Sequence, residues 1–318
     1  MKDSIQKYIK LIRRNSSDYA AISELSSLLV QYGYRREAIK LLDNMLQNPT
    51  NGNNGFDIDL LLKKKQFYES NYKVIAIHQP DYFPWLGYFH KIYYSDIFII
   101  LDNVEFSKSS LTRRSHILKS PSSTAKRYIT LPLKKHSDFS LIKDLSVDYS
   151  QKWQQKHINQ IRGAYNKTPF FHKYFPHIER MILECSNLKT LSEVNVYLLK
   201  SLLNILSIKD NTVLSSSFSV NGKRSELNIN LVKHCNGNVY ISGRGALDYQ
   251  NDSEFNEAGI KVIYQNIYNF LEMHPYKQCQ GEFVNSLSVL DALFNIGPEG
   301  IMNIFDNYEN ILFEHNCN

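Results

Sequence analysis

Cysteine is scarce in this 318-residue chain. There are four, Cys185, Cys235, Cys279 and Cys317, and no CxxC pair. That spacing argues against a zinc site and a disulfide framework, since a chain this long buries a core of its own. Long apolar runs are missing too, so no segment reads as a membrane span. The opening residues, MKDSIQKYIKLIRR, lack the apolar heart of a signal peptide. A cytoplasmic protein is the expectation. GxSxG, Walker and GxGxxG motifs are absent, and His136, His157, His172 and His177 do not fall at metal-ligand spacing. Charge of one sign is not concentrated either. The net +6 suits a phosphate-bearing ligand, whereas duplex nucleic acid calls for a denser basic face. The expectation is therefore no metal and no nucleic-acid partner.

What is present is an ordinary globular composition rich in rings. The chain has 21 Tyr and 17 Phe, which serve equally as core and as surfaces for sugars or bases. Residues 1–70 read as a small helical module. Leu25, Leu28, Leu29 and Tyr32 share one helical face, and Ala38, Leu41, Leu42 and Met45 a second, with Gly33 between them. The segment resembles one tetratricopeptide-type helix pair, and a single repeat cannot cover its own face. It packs on the rest of the chain or meets a protein partner. Asn48 to Gly55 reads as a linker, and Asp57 to Glu69 as a short helix.

From residue 71 to 318 strands and helices alternate. Val74–Ile77, Ile97–Leu101, Arg127–Leu133, Ile142–Val147, Thr212–Ser217, Val239–Ile241 and Lys261–Gln265 read as strands. Helices are expected over Tyr88–Tyr94, Gln151–Asn166, a segment opening near Pro176, Thr190–Ser207, a segment opening at Lys223–Glu226, Glu254–Ala258, Val289–Ile296 and Pro298–Phe305. His157 falls on the apolar face of its helix and reads as a packed core histidine. The pattern predicts an α/β fold, a mostly parallel sheet flanked by helices, with a helical C-terminal part.

Chemistry gathers where apolar runs end. Val74–Ile77 is unbroken and β-branched, and His78, Gln79 and Asp81 follow it at once. Pro80 and Pro84 stiffen the turn. Ile97–Leu101 releases Asp102, Glu105 and Lys108. In an open α/β sheet this edge is where ligands bind. His78, with Asp81 or Asp102, is the candidate acid–base group, against the plainer reading of turn-stabilising hydrogen bonds. Tyr82, Trp85 and Tyr88 offer aromatic surfaces, and Gly87 lets a backbone approach a phosphate. The turn weakly matches a nucleotidyltransferase HxGH signature, with Trp85 and Tyr88 in the histidine places. Ser242-Gly243-Arg244-Gly245 suits an anion nest with Arg244 as clamp, and Asp248 and Tyr249 follow. Lys108, Arg113 and Arg114 could neutralise a diphosphate, as could Lys223 and Arg224, although separate surface charges need no such role. His274, Tyr276 and Gln278 stand in a loop-like stretch suited to recognition.

Four ordered segments resemble the WbqC-like family: IHQPDYFPWLGYFHKI, DIFIILDNVEFSKSS, VYISGRGALDY with EFNEAGIKVIYQN, and SVLDALFNIGPEG. The likeness spans about residues 74–306 and leaves 1–70 as an addition. Glu105 stands where the family usually has glutamine, and Arg113-Arg114-Ser115 where it has Asn-Arg-Asn. The resemblance implies a transferase of bacterial surface-polysaccharide (O-antigen) biosynthesis, attaching glycine or another acyl group to an amino sugar. A nucleotide-linked amino sugar would need a diphosphate clamp from Arg113, Arg114 and Arg244, rings from Tyr82, Trp85 and Tyr88, and a base in His78. The acyl donor is left open, with ATP as the activating cofactor if an adenylate forms. The alternatives are a non-catalytic scaffold or sugar-nucleotide-binding protein, and a nucleotidyltransferase.

Overall fold

β-Branched runs bounded by turns become the central strands of a five-stranded parallel sheet. The computed structural model describes residues 2–15, 18–31, 35–47, 55–246 and 250–314. The sheet strands are β1 (Val74–His78), β2 (Ile97–Ile100), β5 (Thr212–Leu214), β6 (Val239–Gly243) and β7 (Lys261–Gln265). Their spatial order is β5-β2-β1-β6-β7, all parallel. β1 lies at the centre, with Ile77 opposite Ile99 of β2 and Ile75 opposite Tyr240 of β6.

Successive strand residues point to opposite faces, and both faces are covered. Val74, Ala76, Phe98, Ile100, Val239 and Ile241 face a core built with α5 (Leu86–Tyr94), α11 (Ile267–Met273) and α12 (Val289–Glu314). Ile75, Ile77, Ile99 and Tyr240 face a smaller core with α9 (Ser225–His234) and α10 (Asp252–Glu257). Crossover handedness explains the division. The chain steps from β1 to β2 in one direction and from β6 to β7 in the other. Right-handed crossovers running in opposite directions must lie on opposite faces. The sheet therefore has a topological switch point between β1 and β6.

Between β2 and β5 the chain builds a second unit. It contains the hairpin β3 (Arg114–Leu118) and β4 (Lys126–Thr130), then α6 (Trp153–Tyr165), α7 (Phe171–Glu184) and α8 (Leu191–Ile205). α8 opens with a capping box between Thr190 and Glu193. Several expected boundaries move. Ile142–Val147 is a 3₁₀ turn, Ile142–Asp144, followed by isolated bridges, because its backbone bonds to loops rather than to a strand edge: Ile142 N–H reaches the Val104 carbonyl, and Lys143 N–H that of Asp102. β4 stops at Thr130, before Pro132. Thr212–Ser217 shortens to Thr212–Leu214, and Ser215–Ser217 is a 3₁₀ turn. Pro176 lies a turn inside α7 rather than at its start, which removes only one helical donor. The two C-terminal helices run on as α12, broken at Gly297 with φ 68°.

The N-terminal residues form α1 (Lys2–Arg14), α2 (Tyr19–Gln31), α3 (Arg35–Gln47) and α4 (Gly55–Asn71). The expected pair is α2 and α3; Gly33, Tyr32 and most of the linker lie outside the described residues. Ile22, Leu25, Leu29, Ala38, Leu42, Leu61 and Tyr68 make a core of their own. The start of α3 also touches the α5 region. Arg35 pairs with Asp96 at 2.5 Å, and Arg36 stacks 3.6 Å above the Tyr93 ring while bonding the Tyr93 carbonyl.

Candidate functional site

β1, β6 and β7 end in His78, Gly243 and Gln265. The period of two turns all three toward the face that carries α5, where Val74, Val239 and Ile263 also point. Together with α5 and α11 they surround a crevice of about 450 Å³ at the carboxyl ends of the strands. The lining includes His78, Trp85, Tyr88, Lys91, Gly243, Gln265 and Tyr268. This is the switch point, where the loops after β1 and β6 leave in opposite directions and open a gap.

The loop after β1 is held firmly. Asn195 Nδ2 donates to the carbonyls of Pro80 (2.7 Å) and Thr112 (2.6 Å). Tyr82 N–H bonds the Leu111 carbonyl, Ser115 Oγ donates to that of Phe83, and Val289 N–H to that of Pro84. Those bonds hold Phe83 at φ 43°, a region that non-glycine residues rarely adopt. Gly87 has a different use from the expected backbone approach. A side chain there would lie 2.1 Å from the Trp85 indole, so the glycine seats the ring.

His78 presents a defined tautomer. Its Nδ1 lies 3.1 Å from the Gln79 carbonyl, which can only accept, so Nδ1 carries the hydrogen and Nε2 keeps its lone pair. The side chain is 33 % exposed, the open part facing the crevice, and the Tyr88 ring meets its edge at 4.9 Å. Burial, with the Lys91 ammonium second, pushes the imidazole down to about 3, so it is neutral at physiological pH. Asp81 Oδ2 lies 3.8 Å from Nδ1. Burial lifts that carboxyl to about 7, against the pull of Lys91. Burial lowers Lys91 to about 8, with Asp81 opposing. A neutral imidazole, a half-ionised carboxyl and a protonated amine thus share one desolvated corner.

The sequence missed Lys91 and Gln265. Lys91 is only 5% exposed, on a helix whose residues Leu86 to Ile92 are all buried. A single lysine within so apolar a stretch was the available signal. Gln265 Nε2 bridges the Gly87 carbonyl and His90 Nδ1, tying β7 to α5 across the crevice.

The other expected residues are distributed widely. Tyr82 is fully buried and bonds His157 Nδ1 at 2.8 Å, inside the core. Gln79 accepts from Thr112 and holds the loop. Asp102 accepts from the Ser215 and Ser216 hydroxyls and the Ser216 N–H, fastening β2 to the end of β5. Ser242 points to the opposite face from Gly243 and donates to Gln250. Glu105 bridges to Leu141, and Lys108 pairs with Asp138 on the surface. Arg113 opens the β3 hairpin, and Arg114 stacks 4.4 Å over Tyr128. The His274 ring packs 5.1 Å from Phe270, and Tyr276 and Gln278 both donate to Asp291. Gly245 lines the crevice beyond Gly243, so the backbone around Arg244 borders it. Asp248 and Tyr249 lie outside the described residues. Among the described residues no three His, Cys, Asp or Glu groups gather as a metal site, and no helix is long and apolar enough to cross a membrane.

Fold and crevice define a parallel α/β protein with a pocket at its switch point. The profile of the WbqC-like protein family matches residues 79–303, and the chain belongs to that family. It is also 28% identical over 228 residues to the uncharacterized protein Rv1507c of Mycobacterium tuberculosis (strain ATCC 25618 / H37Rv), covering 71% of this chain and 95% of that protein. No solved structure matches the chain.

Proposed function

We propose that the crevice N-acylates an amino sugar carried on a nucleotide, with glycine as one candidate acyl group. The observation that carries the reading is His78, a neutral imidazole that lines the crevice with Asp81 Oδ2 3.8 Å from its Nδ1. In this reaction the sugar amine attacks the acyl carbonyl, and the new amide bond replaces the bond to the donor's leaving group. The amine must shed a proton, and the His78–Asp81 pair is the group proposed to receive it, with Asp81 lifted to about 7 as the member matched to the operating pH. The Trp85 and Tyr268 rings suit sugar or base faces, and a volume of about 450 Å³ is within the range of small-molecule sites. The reading carries with it a cytoplasmic setting and a role in surface-polysaccharide assembly. Incubation with ATP, glycine or acyl donors, and a panel of nucleotide-linked amino sugars, followed by product mass, is the test. A new amide that disappears in His78→Ala supports it; no amide with any pairing removes it.

A second reading, a non-catalytic member of an assembly complex, draws on Leu60 and Phe67, which are exposed on α4. Deleting residues 1–70 separates the two: loss of complex formation with amide synthesis intact would leave catalysis in the α/β part.

A further inference from the structure

Lys91 is the least explained group in the crevice. Its side chain leaves the middle of α5 and lines the pocket between the ends of β1 and β6. It is 5% exposed, and among the described residues its ammonium has no hydrogen bond and no ion pair. Asp81 acts on it electrostatically without a direct contact. The backbone makes room for it. A side chain at position 243 would come within 3.3 Å of Nζ, and Gly243 supplies none. Holding an ammonium without a counter-ion in a side chain only 5% exposed is costly, and a fold that only needed to fill this space would use an apolar residue of the same length.

We propose that Lys91 is the seat of the ligand's oxyanion, either the diphosphate of the nucleotide carrier or the carboxylate of the acyl donor. The inference rests on the reading of this crevice as the substrate site. It assigns the charge neutralisation that Arg113, Arg114 and Lys108 were expected to supply to a residue on a different element. It also joins binding to chemistry. Lys91 is one of the forces that hold the His78 imidazole down. An oxyanion seated on Nζ cancels that force and makes His78 a better proton acceptor once the ligand is in place. His78 and Asp81 complete the polar surroundings of the seat, and Tyr88 walls it with an un-ionised ring.

The test uses inorganic pyrophosphate and, separately, glycine as probes. Binding is measured by calorimetry on the full chain, and Lys91 reactivity by trace acetylation and peptide mapping. Pyrophosphate protection marks the nucleotide end of the ligand; glycine protection marks the donor. The expected result is that one probe binds and shields Lys91. Lys91→Met should then weaken that probe at least tenfold, the share of one charge-assisted hydrogen bond, while raising Tm, because an uncompensated charge leaves the interior. Lys91→Arg should keep part of the binding. If neither probe binds or protects the wild type, or if Lys91→Met binds as the wild type does, the seat is overturned. A fall in Tm for Lys91→Met, with Lys91 of the wild type equally reactive with and without either probe, would mark the lysine as structural and overturn it as well. Protection without amide synthesis keeps the seat and removes the acyl-transfer reading. Amide synthesis with unchanged KM in Lys91→Met removes the seat alone.

Discussion

Asp81 and Asp291 are both buried carboxyls, and burial pushes both upward, to about 7 and about 6. Their surroundings differ. Asp291 Oδ2 accepts from Tyr276 and from Gln278 at 2.7 Å each, and Gln278 also binds the Val284 backbone through both ends of its amide. That knot ties the loop before α12 to the helix itself. Asp81, buried behind His78 and outside the crevice lining, has no hydrogen-bonding side chain among the described residues, only the His78 ring 3.8 Å away. A fold that needs a buried acid for its own integrity gives it donors, as Asp291 has on Oδ2 although not on Oδ1. One that holds an acid for another molecule leaves it short of them. The comparison therefore separates structure from chemistry where a raised pKa alone does not.

The largest effect expected from it falls on the knot. Asp291→Ala leaves the Tyr276 hydroxyl and the Gln278 amide without their acceptor in a dry site. A loss of about 3 kcal/mol is expected, read as a shift of the urea midpoint at constant slope. Asp81→Asn is its counterpart. It removes an acid with no donors to strand, so the midpoint should hold or rise. Amide synthesis, if this is the reaction, should fall by about a hundredfold, as for a lost proton-transfer group. An Asp81→Asn protein that unfolds as readily as Asp291→Ala would collapse the distinction.

The pH dependence sharpens it further. Each folded carboxyl sits above its usual value of 3.8. The folded state then binds more protons than the unfolded one between the two values, so stability falls as pH rises through that window. For Asp291 the window closes near 6, and for Asp81 near 7. His78 and the buried His157 run the other way and lose stability as pH drops below their usual 6.5. Subtracting the wild-type curve from that of each Asp→Asn variant isolates one group. The Asp291→Asn difference should level off near pH 6, while the Asp81→Asn difference keeps growing to about pH 7. Coincident curves would mean that the two sites are electrostatically alike.

Much of this was legible in the sequence. Val74–Ile77 and Val239–Ile241 are unbroken apolar runs, and only a sheet covered on both faces buries such runs, so the parallel core followed. His78 and Gly243 stood at the strand ends for the same reason. What the sequence left undecided was the face. β6 was expected to end at Ile241, and it continues to Gly243. Only that extension decides that Gly243 faces the crevice while Ser242 faces Gln250. Lys91 needed packing rather than pattern, because its position matters only once α5 is known to be buried along its length. Tyr276 and Gln278 looked like recognition residues because their segment is irregular. Their partner is thirteen or more residues further on, at the start of a helix, and sequence proximity gave no sign of it.

The smallest effect should come from the cations that the sequence put forward first. Lys108 makes a 2.6 Å ion pair with Asp138, as short as any polar contact in the crevice, and the lysine draws the Asp138 carboxyl below its ordinary value. Both side chains are about 70% exposed, so water screens the pair and the gain from holding two long chains together is slight. Distance from the ligand matters as much. Lys108 lies on the loop after β2 and is absent from the crevice lining. Lys108→Ala should therefore leave Tm, pyrophosphate binding and any amide synthesis at the wild-type level, in the same assays that respond to Lys91→Met. A tenfold loss of binding in Lys108→Ala would mean that the ligand extends from the crevice along the β2 loop, and that burial is a poor guide to which cations this protein uses.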